Sequence, residues 1–68
     1  MKRTIRVNGK TRTIVAGTTV GELLTELGLT GTAVAVAVDR RVIPRGEQGG
    51  VEIPDGARIE MIRPVGGG

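Results

Sequence analysis

A single stretch of this chain carries helical periodicity, and every fold open to the chain must be built around it. In "AGTTVGELLTELGLT" (16–30), Val20, Leu23, Leu24 and Leu27 fall at i, i+3, i+4 and i+7, which is one apolar stripe. Thr19 is placed to cap the start, and Glu22 three residues on completes a capping box. Thr18 is the other candidate cap. Gly28 suits the position just past the end, where left-handed backbone is wanted, and Leu29 can then fold back onto Leu23 or Leu24. The stripe reads as core. With one helix to cover it, the remainder must supply a sheet with one face to bury.

The remainder has that character. "TIRVNGKTRTIV" (4–15) alternates apolar and polar residues about Asn8-Gly9, a pair suited to the positive φ angles of a tight hairpin turn. "TAVAVAVD" (32–39) puts Val34, Val36 and Val38 on one face and alanines on the other. "RRVIPRGEQGG" (40–50) reads as a short extended piece, stopped by Pro44, and then a loop. After a Pro-Asp-Gly turn at 54–56, a last strand runs over about 58–63, with Ile59 and Met61 facing one way and Glu60 and Ile62 the other. Hairpin, helix and later strands joining one sheet make a two-layer α+β domain, in which a long right-handed connection lets the last strand lie parallel to the first. This is the β-grasp (ubiquitin-like) arrangement: a mixed sheet of four to five strands packed on one main helix. Residues 1–64 form the domain, and 65–68 a flexible glycine tail.

Composition narrows the function. The 68 residues hold no cysteine, no histidine and no aromatic side chain. Thiol nucleophiles, thiolate or imidazole metal sites, the commonest general base and aromatic base stacking are therefore unavailable. No metal site is expected: only carboxylates remain, and no pair of acids has motif spacing. The ten Lys and Arg residues behind the net charge of +3 are scattered, which disfavours a nucleic-acid groove. The longest apolar run, Ala33–Val38, is too short to span a bilayer, and no apolar segment follows the charged start as in a secretory leader. A cytoplasmic protein with neither nucleic acid nor membrane as partner is expected.

The last six residues, "RPVGGG", pose the functional question. Glycine loses the most backbone freedom on ordering, so three in a row are the least foldable ending available. Such an ending is either idle or required to be thin and mobile. An α-carboxyl group ionises at about 3.3–3.7, so Gly68 would carry a carboxylate at neutral pH. A carboxylate has no good leaving group and reacts with a nucleophile only once activated. Val65 to Gly68 can extend roughly 13 Å at ~3.3 Å per residue, and without Cβ atoms the glycines could thread a narrow channel.

The whole chain resembles the ThiS-type sulfur carriers, the small ubiquitin-like proteins of thiamine biosynthesis. The resemblance is carried by "IRVNGK", by "TTVGELLTELGL", by "VAVAVDRRVIPR" and by the closing "DGARIEMIRPVGGG". It departs at Asp39, where the family often has asparagine, and in "GEQGG", where an aromatic residue is common. The resemblance implies that Gly68 is the site of adenylation and sulfur attachment as a thiocarboxylate. Gly67 completes the terminal pair, and Gly66 stands where the family commonly has alanine. It implies a protein that is not itself an enzyme and binds no cofactor. ATP and magnesium are used by a separate adenylating enzyme, and the sulfur is accepted by a synthase of the thiazole synthase kind. It implies too that the open face of the sheet docks on the activating enzyme. Ile62 and Arg63 are the docking candidates, while Arg45 is better read as a solvated charge. Three alternatives stand beside this reading: a carrier serving molybdopterin, cysteine or a secondary metabolite, a ubiquitin-like protein modifier, and a small binding module that has no need of Gly68.

Overall fold

The computed structural model describes residues 1–29 and 34–62. Its elements, in order, are β1 (Lys2–Val7), β2 (Lys10–Val15), α1 (Val20–Glu26), β3 (Ala35–Val38), β4 (Arg41–Ile43), a 3-10 helix (Arg45–Gly50) and β5 (Arg58–Ile62). The five strands form one sheet in the order β2-β1-β5-β3-β4. β5 runs parallel to β1, with Arg6 beside Arg58 and Val7 beside Ile59. The other three pairings are antiparallel. This is the expected β-grasp, with the last strand of the chain inserted at the centre.

The local signals act where they were read. Asn8 and Gly9 take φ of 49° and 85°, the two positive values of a type I′ turn. The Thr19 hydroxyl accepts from the Glu22 amide at 3.1 Å, and the Glu22 carboxylate accepts from the Thr19 amide at 2.9 Å. Thr18 is no cap. It is buried, and its hydroxyl donates to the Val15 carbonyl at 2.7 Å. At the far end the Leu29 amide donates to the Leu24 carbonyl (2.8 Å) and the Gly28 amide to Thr25 (3.1 Å), with Gly28 at φ 73°. These two bonds make a Schellman motif. The helix between the caps has only seven residues, so it depends on packing rather than on propensity. Val20 and Leu23 are fully buried, Leu24 nearly so, and Leu27 packs at their margin. They meet Ile5, Ile14, Val36, Val38, Ile43, Ile53 and Ile59 in a core of branched aliphatics without aromatic rings.

Two features differ from the sequence reading. Residues 45–50, expected as loop, wind into the 3-10 helix, with the Glu47 amide donating to the Pro44 carbonyl at 2.8 Å. The cause is close backbone packing against α1. A Cβ on Gly21 would stand 3.2 Å from Gly49 Cα and 3.4 Å from the Gln48 carbonyl oxygen, so glycine admits this approach where a side chain would push the two backbones apart by a few tenths of an ångström. Residues 51–53, to which the sequence reading gives no element, cross the start of α1 in an isolated antiparallel bridge between Thr19 and Glu52. There the Val20 amide donates to Val51 (2.9 Å) and the Ile53 amide to Thr18 (3.0 Å). Arg3 anchors this crossing by donating to the Ile53 carbonyl at 2.8 Å and pairing with Glu52 at 3.3 Å.

β3 and β4 join through a two-residue turn that no glycine announces: Asp39 and Arg40 both adopt positive φ, 49° and 70°. A left-handed non-glycine residue costs roughly 1–2 kcal/mol, partly offset by the ~0.5–1 kcal/mol that glycine loses in extra chain entropy. Arg40→Gly should therefore stabilise the protein by about 0.5–1 kcal/mol, read from the denaturation midpoint at constant m-value. The two faces of β5 give a second test. Ile59→Ala, at a fully buried site, should cost about 2–5 kcal/mol, whereas Ile62→Ala should stay within about 0.5 kcal/mol of the parent in the same denaturation series.

Candidate functional site

Alternation along the strands sorts the sheet into a helix-covered face and an open one. On the open face Ile62 lies beside Ala35, and Glu60 beside Ala37, which in turn neighbours Val42. Ile62 is 65% exposed and Val42 69% exposed, while Ala35 and Ala37 between them present little more than Cβ. The result is an apolar stripe across the end of β5, β3 and the edge strand β4. The opposite half of the face is basic: Lys2 and Arg6 project from β1, and Arg58 stands beside Arg6. Glu60 lies between the halves. An exposed apolar patch rimmed by charge has the anatomy of a protein-docking surface.

Ile62 therefore sits where the sequence places it, at the last described position of the central strand. Arg63, Gly66, Gly67 and Gly68 lie outside the described residues, as does the boundary drawn between 64 and 65. Arg45 is exposed at the start of the 3-10 helix. Sequence reasoning missed Val42. The available signal was Pro44: a strand that stops at a proline belongs at an edge, and alternation from buried Ile43 turns Val42 outward.

It also missed how β5 is held. At its start, the Asp39 amide donates to the Arg58 carbonyl at 2.9 Å, and the Arg58 amide donates to Asp39 Oδ1 at 2.9 Å. Near its end, the Asn8 amide donates to the Ile59 carbonyl at 2.9 Å. The Met61 amide donates to Asn8 Oδ1 at 2.8 Å, and Asn8 Nδ2 donates to the Met61 carbonyl at 3.2 Å. The turn before β5 is tied down as well: Gly56, at φ 78°, donates to the Thr4 carbonyl (2.8 Å), and the Asp55 carboxylate accepts from the Thr4 amide (2.9 Å). Glycine residues 66–68 thus follow a strand that is fixed at both ends and flanked on both sides.

Comparison with known proteins agrees with this geometry. A model of the ThiS family matches residues 5–68. Among solved structures, the thiamine biosynthesis protein ThiS from Geobacter metallireducens superposes with a TM-score of 0.81 at 29% identity, over 96% of this chain and 99% of that one. Among curated proteins, the chain is 36% identical over 62 residues to a thiazole synthase of Paramagnetospirillum magneticum, and 38% identical over 64 residues to a thiazole synthase of Magnetococcus marinus. These alignments take in 91% and 94% of this chain but only 19% and 20% of those proteins, so the chain spans about a fifth of the length of the curated relatives. The match through the terminal glycines, together with the superposition over nearly the full length of both chains, places this protein in the ThiS family.

Proposed function

We propose that this chain is a sulfur carrier for thiazole formation in thiamine biosynthesis, working as a substrate of other enzymes rather than as a catalyst. The Gly68 carboxylate attacks the α-phosphorus of ATP on a separate activating enzyme, releasing pyrophosphate and leaving an acyl-adenylate. A sulfur nucleophile then displaces AMP and leaves a terminal thiocarboxylate. That sulfur passes to an acceptor synthase, and the carboxylate is regenerated. ATP and magnesium are handled by the activating enzyme.

The observation that carries this reading is the family match, which extends from residue 5 in the first strand to residue 68, the last of the three glycines. The chemistry supports it too. With no cysteine in the sequence, a carried sulfur has no side-chain thiol to rest on, which agrees with the C-terminal carboxyl that the family resemblance implies. The occurrence of a related segment within proteins named thiazole synthase supports an acceptor of that kind. The stripe of Ile62, Ala35, Ala37 and Val42 would seat on the activating enzyme, and Lys2, Arg6 and Arg58 would steer the basic half toward an acidic rim.

The test is intact mass after incubation with ATP, magnesium, a sulfur source and a thiamine-pathway activating enzyme. The expected gain is one sulfur in place of one oxygen, abolished by deletion of Gly68. An unchanged mass, beside an activating enzyme proven on its own carrier, would overturn the reading. Docking has a separate readout. Ile62→Asp should raise KM for activation about tenfold while leaving the folded state intact, as expected for a central apolar contact of an interface.

A further inference from the structure

We propose that Asn8 is a positioning residue for the C-terminal tail: its side-chain amide replaces a missing backbone peptide and locks the end of β5, so that the tail starts from a fixed point. The role in activation rests on the sulfur-carrier reading above; the lock itself does not.

A regular parallel ladder between β1 and β5 would continue past the bond from the Asn8 amide to Ile59. The Met61 amide would next donate to the Asn8 carbonyl, and the amide of residue 10 would donate to the Met61 carbonyl. The chain makes neither bond, because β1 turns away at Asn8-Gly9 and Lys10 already pairs with Val7 in the hairpin. Asn8 supplies substitutes from its side chain. Oδ1 takes the Met61 amide at 2.8 Å, and Nδ2 reaches the Met61 carbonyl at 3.2 Å. Primary amides present a donor and an acceptor side by side, as a peptide does, and asparagine tolerates the positive φ that the turn imposes. One residue thus makes the turn and adds the last rung of the ladder.

The placement matters because Met61 lies four residues before Val65, where the sequence reading begins the glycine tail. Without the Asn8 amide, β5 beyond Ile59 would be bonded to β3 alone. A carrier docked through its open face must deliver Gly68 to a distant reacting centre. The positions a chain end can reach depend on where the strand before it is last held, and the last bonds from β5 to the β1 side among the described residues are those between Met61 and Asn8.

Two substitutions test this. Asn8→Gly preserves the turn and removes both side-chain bonds. Asn8→Asp keeps the acceptor for the Met61 amide and removes the donor. For Asn8→Gly, hydrogen exchange at the Met61 amide should quicken about tenfold, with the β1–β2 amides unchanged. In activation kinetics with the pathway's adenylating enzyme, kcat should fall about tenfold at constant KM, since the docking face is untouched. Asn8→Asp, which keeps the acceptor but sets an oxygen against the Met61 carbonyl, should recover only part of the Met61 protection and part of kcat. Unchanged Met61 exchange in Asn8→Gly would overturn the lock. Quickened exchange with unchanged kcat, or a loss of protection spread across all strands, would overturn the positioning role. A wild-type chain that takes up no sulfur would overturn the carrier reading and the positioning role together, while exchange at Met61 would still report on the lock.

Discussion

The structure depends on one placement: the last strand of the chain occupies the middle of its sheet. β5 has β1 on one side and β3 on the other, so the sheet is incomplete until the final described residues arrive. The core has the same dependence, because fully buried Ile59 on β5 lies among Ile5, Leu23, Val36 and Ile53 from across the sequence. Such non-local pairing carries a loop-closure cost that local turns and caps must offset. That explains why a domain of this size invests in a type I′ turn, a capping box and a Schellman motif, each of which narrows the search locally.

The elements with local chemistry were legible in the sequence. The Asn8-Gly9 turn, the Thr19 and Glu22 box, the Gly28 terminator and the valine face of β3 each follow from residues within a few positions of one another. The outward setting of Ile62 followed from alternation alone. What stayed hidden depends on partners remote in sequence. The 3-10 helix forms because Gly21 lets a backbone 28 residues later approach α1, and helical periodicity does not encode that glycine's neighbour. The Asp39-Arg40 turn lacks the glycine that usually marks positive φ. Val42 joins the docking stripe only once β4 is paired beside β3. Of the candidate site, alternation along the sequence carries the outward setting of Ile62, while the breadth of the face and the hold on β5 came from tertiary pairing.

The molecule divides its labour between rigidity and reach. On the sulfur-carrier reading, a domain with neither thiol nor imidazole would contribute mechanically, by presenting a face and holding the strand that precedes the terminal glycines. A face built on β3, β4 and β5 moves as one piece with the strand that carries the tail, since the same ladder bonds serve both. On that reading, recognition on the open face and delivery of the terminus would be coupled through the sheet.

The two residues that hold β5 show how closely side-chain chemistry follows ladder geometry. Both sit at positive φ in type I′ turns, and both have a backbone carbonyl that the turn rotates out of line. In the antiparallel pairing with β3, one residue exchanges both bonds with the residue opposite. The Asp39 amide still reaches Arg58, and only an acceptor is missing, which a carboxylate supplies. In the parallel pairing with β1, each residue bonds to two positions flanking its neighbour, so breaking the strand at Asn8 leaves an acceptor and a donor to be replaced together. A carboxylate would set an oxygen against the Met61 carbonyl, whereas an amide satisfies both sides. Aspartate can therefore stand at position 39, where the family often has asparagine, and position 8 calls for asparagine. The difference between the two sites follows from strand direction, which is itself a consequence of inserting the last strand beside the first.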